Sequence, residues 1–413
     1  MQKGKLKLFI GPNGYGKTYH LNKLYNEMKG FKNSILIPSE IVYKNETKDT
    51  VDSSLTLSIL IEDIIMPNCI QEREAFEKKV DKIVIENIDN LNTTVQEISK
   101  AMDIKYDKDV IGISKSKVYK KLLKINNNFI DNVMGSGHGS LYILKLLNIS
   151  SKEEIFIDEP EKFCHPSLFV EIVNEINKLL QKGKNVYLVS HSPELIKLLD
   201  WNYEDIFIFN EIVLNDKGER VQNNFKKLEL NKIIEDKEFK KISSLLVDNG
   251  KKEAEIIGRY MNDLNKLKTY FKIRRNDFID ILFSNKIYLV EGIFDKIFLE
   301  AKLDQSKKTE KIIITTFSKW VMPIYISIVN QIKNHKSSFL NVMFDSDSDS
   351  NLNKFINEYI KINCNEYIEF QPNIEKHLNL SIDKHDVNEF YEFCINNGEK
   401  INEFTWLTYK KEI

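Results

Sequence analysis

The chain has 413 residues, enough for two or three domains with substantial cores, and its 60 basic and 61 acidic residues leave a net charge of −1. That balance excludes a globally basic nucleic-acid-binding surface, so any such surface is a local patch. Four scattered cysteines (Cys69, Cys164, Cys364, Cys394) form no CxxC pair and read as reduced cytoplasmic thiols, and no apolar run approaches the length of a membrane span.

The N-terminus, MQKGKLKLFIGPNG, runs into a strand and a glycine loop, which is not the pattern of a signal peptide. Lys5–Ile10 is the strand, and a helix follows from Lys17 to Met28. Between them Gly11, Pro12, Asn13, Gly14, Tyr15, Gly16, Lys17 and Thr18 fit GxxxxGK[ST]. The glycines let backbone N–H groups curl around phosphates, and the helix N-terminus adds a favourable dipole. Lys17 reaches the β- and γ-phosphates of ATP, and the Thr18 hydroxyl ligates Mg²⁺.

Ser34–Ser39 reads as a second strand, and Ile85, Ile88, Leu91, Val95, Ile98 and Met102 recur at helical spacing. Strands return at Glu153–Asp158, Asn185–Ser190 and Asp205–Asn210, with a helix from near Pro166 to Gly183. Such alternation predicts a largely parallel sheet covered by helices. The first of these strands ends in acids. Asp158 is placed to hold Mg²⁺ and Glu159 to orient or deprotonate the attacking water. The next ends in Ser190-His191-Ser192-Pro193, where His191 is placed to sense the γ-phosphate.

After a turn at Asn215–Gly218 the chain becomes charged and helical from Leu228 to about Phe283. Ala254, Ile257, Met261, Leu264, Leu267 and Phe271 form one apolar stripe, read as packing between domains or subunits. The longest basic cluster, Lys266–Arg275, interleaves aromatics and reads first as a solvated helix face, second as a nucleic-acid contact.

A second strand–helix alternation starts at Ser284, with strands at Lys286–Glu291, Lys311–Thr316, Leu340–Asp345 and Glu366–Gln371. It places Glu291 and Asp345 at strand ends on one edge of a parallel sheet, where ligands bind. Asp295 follows Glu291 by one helical turn, and Asp347 follows Asp345 by two residues. The run also allows Asp347 and Asp349 as the pair, but Asp345 directly ends its strand. This density of carboxylates suits hard divalent cations such as Mg²⁺. Two cations about 4 Å apart can activate a nucleophile and stabilise a leaving oxygen in phosphodiester cleavage.

The P-loop, the acid-ended strand, the His191 strand and Met134-Gly-Ser-Gly-His-Gly-Ser140 together resemble an ABC-type ATPase head over residues 1–215. The resemblance implies that Ser136 and Gly137, in a divergent signature motif, bind the γ-phosphate of another subunit's ATP in a head-to-head homodimer. Gln71 is the only obvious candidate for a Q-loop. Residues 284–413 resemble a Toprim domain through Glu291, Asp295, Asp345 and Asp347. That resemblance implies a Mg²⁺ or Mn²⁺ site, with Glu375 as an additional metal-site acid. Lys319 stands where related nucleases carry a glycine-rich turn with lysine, although the glycines are missing here.

The order of ATPase head, helical linker (residues 216–283) and Toprim domain resembles the OLD (overcoming lysogenization defect) family. That family implies an ATP-regulated nuclease effector of Gabija-, retron- or PARIS-type anti-phage systems. DNA or tRNA is the expected substrate, with assembly through heads and linker helices and a defence-system partner or phage trigger. The rival reading is an ATPase sensor or scaffold whose Toprim remnant binds without cutting. A repair ATPase of the SMC kind is disfavoured by the lack of long heptad arms.

Overall fold

The computed structural model describes residues 3–29, 33–39, 124–125, 128–129, 136–209, 225–302, 311–333, 340–347, 350–371, 373–374 and 386–396. The expected helix over residues 85–102, the turn at 215–218, Gln71, Asp349 and Glu375 lie outside these residues. The chain divides into two compact units, 1–201 with 205–225, and 202–204 with 226–413.

The first unit is built on strands β1 (Leu6–Ile10), β2 (Ser34–Ile37), β5 (Glu154–Asp158), β6 (Asn185–Ser190) and β7 (Ile206–Ile208). Two-residue strands β3 (Lys124–Ile125) and β4 (Asn128–Phe129) pair antiparallel apart from them. The large sheet is parallel throughout, in the order β2-β5-β6-β1-β7. All five residues of β5 are buried, which is why that strand reads as a continuous apolar run ahead of its acids. Among the described residues, helices α1 (Lys17–Met28), α2 (Ser136–Ile149), α3 (Phe169–Gln181) and α4 (Pro193–Leu198) accompany that sheet. Phe9, Leu21, Phe156, Tyr187 and Phe207 share one core cluster, in which the Phe156 and Tyr187 rings stack at 4.4 Å. The strand order decides the chemistry: β6 lies between β1 and β5, so the end carrying His191 separates the glycine loop from the acids.

The second unit opens with five helices, α5 (Leu230–Glu235), α6 (Lys237–Val247), α7 (Lys252–Asn262), α8 (Leu264–Ile273) and α9 (Arg275–Phe283). These fall in the same compact unit as the second sheet. Lys241 of α6, for example, sits 4.1 Å over the Phe355 ring. The apolar stripe from Ala254 to Phe271 is not one helix. It breaks at Asp263, whose backbone is extended and whose Oδ1 caps α8 by accepting from the N–H groups of Asn265 (2.8 Å) and Lys266 (3.2 Å). Ala254, Met261, Leu267 and Phe271 are buried on the two pieces.

The second sheet contains β8 (Lys286–Val290), β9 (Lys311–Thr315), β10 (Leu340–Asp345) and β11 (Glu366–Phe370), parallel in the order β11-β10-β8-β9. Helices α10 (Ile293–Lys302), α11 (Met322–Lys333), α12 (Asn351–Asn363) and α13 (Val387–Asn396) accompany it. Strands β8 and β10 are neighbours, with Val290 opposite Met343, so their carboxyl ends bring Glu291 and Asp345 to one edge. Among the described residues, Cys164, Cys364 and Cys394 form no disulfide. Among the described residues no helix is long and apolar enough to cross a membrane.

Candidate functional site

The glycine loop between β1 and α1 turns through three left-handed or otherwise positive φ values, at Gly11 (144°), Gly14 (84°) and Gly16 (94°). Gly11 also lies against another strand's continuation: a Cβ there would stand 2.1 Å from the Phe209 carbonyl oxygen. Lys17 opens α1 yet folds back over the loop, its Nζ donating to the carbonyls of Gly11 and Pro12 at 2.9 Å each. Burial pulls the Lys17 ammonium below the usual lysine range, while Glu159, Asp158 and Glu161 hold it up. A cation is thus fixed inside a ring of backbone, the arrangement that receives phosphates.

The Thr18 hydroxyl donates to Asp158 Oδ1 at 3.0 Å, across 140 residues of chain. Asp158 is 5% exposed, and burial raises its carboxyl above the ordinary range, a shift opposed by the Thr18 hydrogen bond. A hydroxyl and a carboxylate side by side are hard oxygen donors, and this pair fits the Mg²⁺ that accompanies ATP.

Glu159 follows at φ 45°, a conformation costly for a non-glycine residue. A tight turn holds it, with its N–H donating to Val189 O (3.0 Å) and its carbonyl accepting from Lys162 N (3.0 Å). Its Oε1 lies 3.1 Å from His191 Nδ1. Asp158, Glu159 and His191 therefore converge beside the loop.

Sequence reasoning missed Glu161. It is 6% exposed, accepts from Ser190 Oγ (2.6 Å) and His191 N (3.2 Å), and comes within 3.9 Å of His191 Nδ1. Burial pushes its carboxyl up, and the Ser190 hydroxyl opposes that. Glu161 thereby sets where His191 stands relative to Glu159. The only local signal was a further acid two residues past the pair, in DEPEK. Ser136 and Gly137 begin α2, and of these two only the backbone is described.

In the second unit Glu291 directly follows β8. Burial raises its carboxyl, while the Lys319 ammonium and the backbone N–H groups of Lys319 and Asp345 pull it down. Its Oε2 is buried with no hydrogen-bond partner among the described residues. Lys319, 2% exposed, donates from Nζ to the carbonyls of Asp345 (2.6 Å) and Ser346 (3.3 Å) and lies 3.5 Å from Asp347 Oδ2. Asp345 Oδ1 accepts from Ile374 N at 3.1 Å. Asp347 is half exposed at φ 37°.

Asp295 plays a part the sequence did not suggest. Its Oδ2 accepts from Gly292 N at 2.7 Å, capping α10 from the third helical position. The edge therefore joins Glu291, Lys319, Asp345 and Asp347, with an ammonium among the acids. The three acids offer only oxygen donors, as a hard cation requires. Among the described residues, no three acidic, histidine or cysteine side chains converge into a metal cage.

No family model matches the sequence. It is similar to the cell division ATP-binding protein FtsE of Streptococcus pneumoniae, 23% identical over 223 residues, covering 53% of this chain and 86% of that protein. The energy-coupling factor transporter ATP-binding protein EcfA2 of Mycoplasma mobile is 24% identical over 243 residues, covering 52% and 70%. The first unit has the fold of an ABC-type ATPase head. The endonuclease GajA of Bacillus cereus is 23% identical over 335 residues, 68% of this chain and 46% of that protein. Among solved structures, a nucleotide-free ATP-binding cassette from an ABC transporter aligns at 16% identity and TM-score 0.31, covering 57% of this chain and 86% of that one.

Proposed function

We propose that this chain is an ATP-regulated, divalent-metal-dependent nuclease of the OLD type acting in anti-phage defence in the cytoplasm. One observation carries the proposal. Two separate sheet edges each gather the charged groups of a phosphate chemistry, Lys17, Thr18, Asp158, Glu159 and His191 at one, Glu291, Lys319, Asp345 and Asp347 at the other. Similarity to the endonuclease GajA over 335 residues, more than the ATP-binding relatives span, supports joining the two functions in one chain.

In the head, Lys17 would bind the β- and γ-phosphates, and Thr18 and Asp158 would hold Mg²⁺. Glu159 is the base for the attacking water, and His191 stands beside it at 3.1 Å. Ser136 and Gly137 would meet the partner head's ATP in a homodimer, and nucleotide state would gate the second site. There Glu291, Asp295, Asp345 and Asp347, with Glu375, would hold Mg²⁺ or Mn²⁺. Bound cations supply activation of the nucleophile and of the leaving oxygen in phosphodiester cleavage. The Lys319 ammonium opposes the negative charge that develops on the phosphorane oxygens.

The test is incubation of purified protein with plasmid and total tRNA, with Mg²⁺ or Mn²⁺, with and without ATP. Wild type should cut one of the two. Asp345→Asn should abolish cutting, because it removes the charge that offsets a cation while leaving Oδ1 to accept from Ile374 N. ATP hydrolysis should persist in that variant.

A second reading, a non-cleaving scaffold, draws support from the Lys319 ammonium among the acids and from the lack of three converging ligands among the described residues. No cleavage by wild type in any nucleotide condition, with ATP still hydrolysed, would favour it over the nuclease.

A further inference from the structure

The turn after β9 holds an aromatic ring where a side chain is least welcome. Phe317 is 74% exposed and has φ 63°, a left-handed conformation that bulky residues seldom adopt. Burial does not explain its retention, since the ring stands in solvent. The backbone on both sides is anchored. Thr316 donates to Val290 O from its N–H (2.9 Å) and from Oγ1 (3.1 Å), which ties the turn to the strand that runs into Glu291. Ser318 Oγ accepts from Trp320 N (3.2 Å), and Lys319 Nζ reaches the Asp345 carbonyl. The ring is thus displayed between two anchor points, both at the edge where Glu291, Lys319, Asp345 and Asp347 meet.

Arg274 stands against the ring, its guanidinium carbon 5.7 Å from the centroid. That guanidinium is itself held. It donates to Tyr325 Oη (2.8 Å) and Thr315 O (3.2 Å) and pairs with Asp277 at 2.7 Å. The basic run Lys266–Arg275, which composition left as a solvated face or a nucleic-acid contact, therefore delivers a fixed cation under an exposed aromatic. A flat, exposed π surface backed by a guanidinium matches one ligand chemistry: a nucleobase to stack.

We propose that Phe317, backed by Arg274, is a stacking platform for a nucleobase of a single-stranded DNA or RNA segment, and that it positions the neighbouring phosphodiester at the Glu291–Lys319–Asp345 edge. This rests on the nucleic-acid reading above. Stacking explains the strained turn. A glycine would satisfy the backbone but present no ring, so the conformational cost is retained for the surface it displays.

The experiment measures anisotropy of fluorescein-labelled single-stranded DNA and RNA oligonucleotides of one sequence, with EDTA present so that the probe stays intact. Phe317→Leu keeps an apolar side chain without the π face and should weaken binding roughly five- to hundredfold, the range for losing one base–aromatic stack. Phe317→Trp should bind within about threefold of wild type, because any aromatic face stacks a base. Phe317→Gly should lose affinity like the leucine variant while its thermal midpoint rises, because the left-handed strain is relieved. A ring with a merely structural role would lower affinity and midpoint together in Phe317→Gly, and that result overturns the platform. Wild-type affinity in Phe317→Leu overturns it as well while leaving the nuclease reading standing. If wild type binds neither oligonucleotide, the nucleic-acid reading falls and the platform with it. Preference for the DNA or the RNA probe identifies the substrate class.

Discussion

Gly11→Ala tests whether the P-loop depends on its contact with the strand beside it. The added Cβ would lie 2.1 Å from Phe209 O and 3.0 Å from its carbonyl carbon, so backbone must move by about 1 Å to restore ordinary contact. The atoms in the way belong to the residue whose N–H donates to Ile10 O at 2.8 Å, where the chain runs on past β7. Strain at φ 144° contributes about 1–3 kcal/mol, and the overlap about 1–3 kcal/mol more.

Gly14→Ala is the control. Its φ is 84°, but among the described residues nothing lies within 4 Å of the new Cβ, so it carries the strain alone. The difference between the two variants, about 1–3 kcal/mol, isolates the contact. Urea unfolding followed through Trp201 reads it, in a Trp320→Phe, Trp406→Phe background that leaves the first unit's tryptophan as sole reporter. Trp201 is 1% exposed and donates from Nε1 to Ile196 O, so its emission changes on unfolding. At a slope of about 1–3 kcal/mol per molar urea, the midpoints should differ by roughly 1 M. Equal midpoints would refute the reasoning.

Two further outcomes follow from the acids of the first unit. Glu159→Gln should bind ATP normally in calorimetry yet hydrolyse it about 10²–10⁴-fold more slowly, with ATP-loaded head pairs accumulating in light scattering; unchanged turnover would remove Glu159 from its role. For Glu161, burial keeps the folded carboxyl protonated to higher pH than the ordinary 4.5 of the unfolded chain. Its stabilising contribution is complete below that value and is lost as pH rises through the raised one. Glu161→Gln should therefore flatten the fall in unfolding midpoint above pH 4.5, and identical pH slopes in the two proteins would contradict this.

Local chemistry made much of the molecule legible in the sequence. GPNGYGKT fits one backbone conformation between a strand and a helix, and α1 spans Lys17–Met28 as the pattern predicts. Strands β6 and β10 occupy their predicted residues, because short apolar runs ending in polar groups are recognisable without their neighbours. Helix α8 was obscured because the stripe of apolar residues carries across Asp263, and only its side-chain bonds to the following N–H groups reveal a cap rather than a helical interior. What tertiary structure alone decided is which charged groups meet. Glu161 matters because strand pairing brings Ser190 and His191 to it across some thirty residues. Asp295, expected as a metal ligand from its spacing, also accepts with Oδ2 from the Gly292 N–H just ahead of its helix. Lys319 lies among the acids because β9, β8 and β10 are adjacent in the sheet. Burial, and with it the pKa shifts of Asp158 and Glu291, depends on long-range packing that no local window of residues encodes.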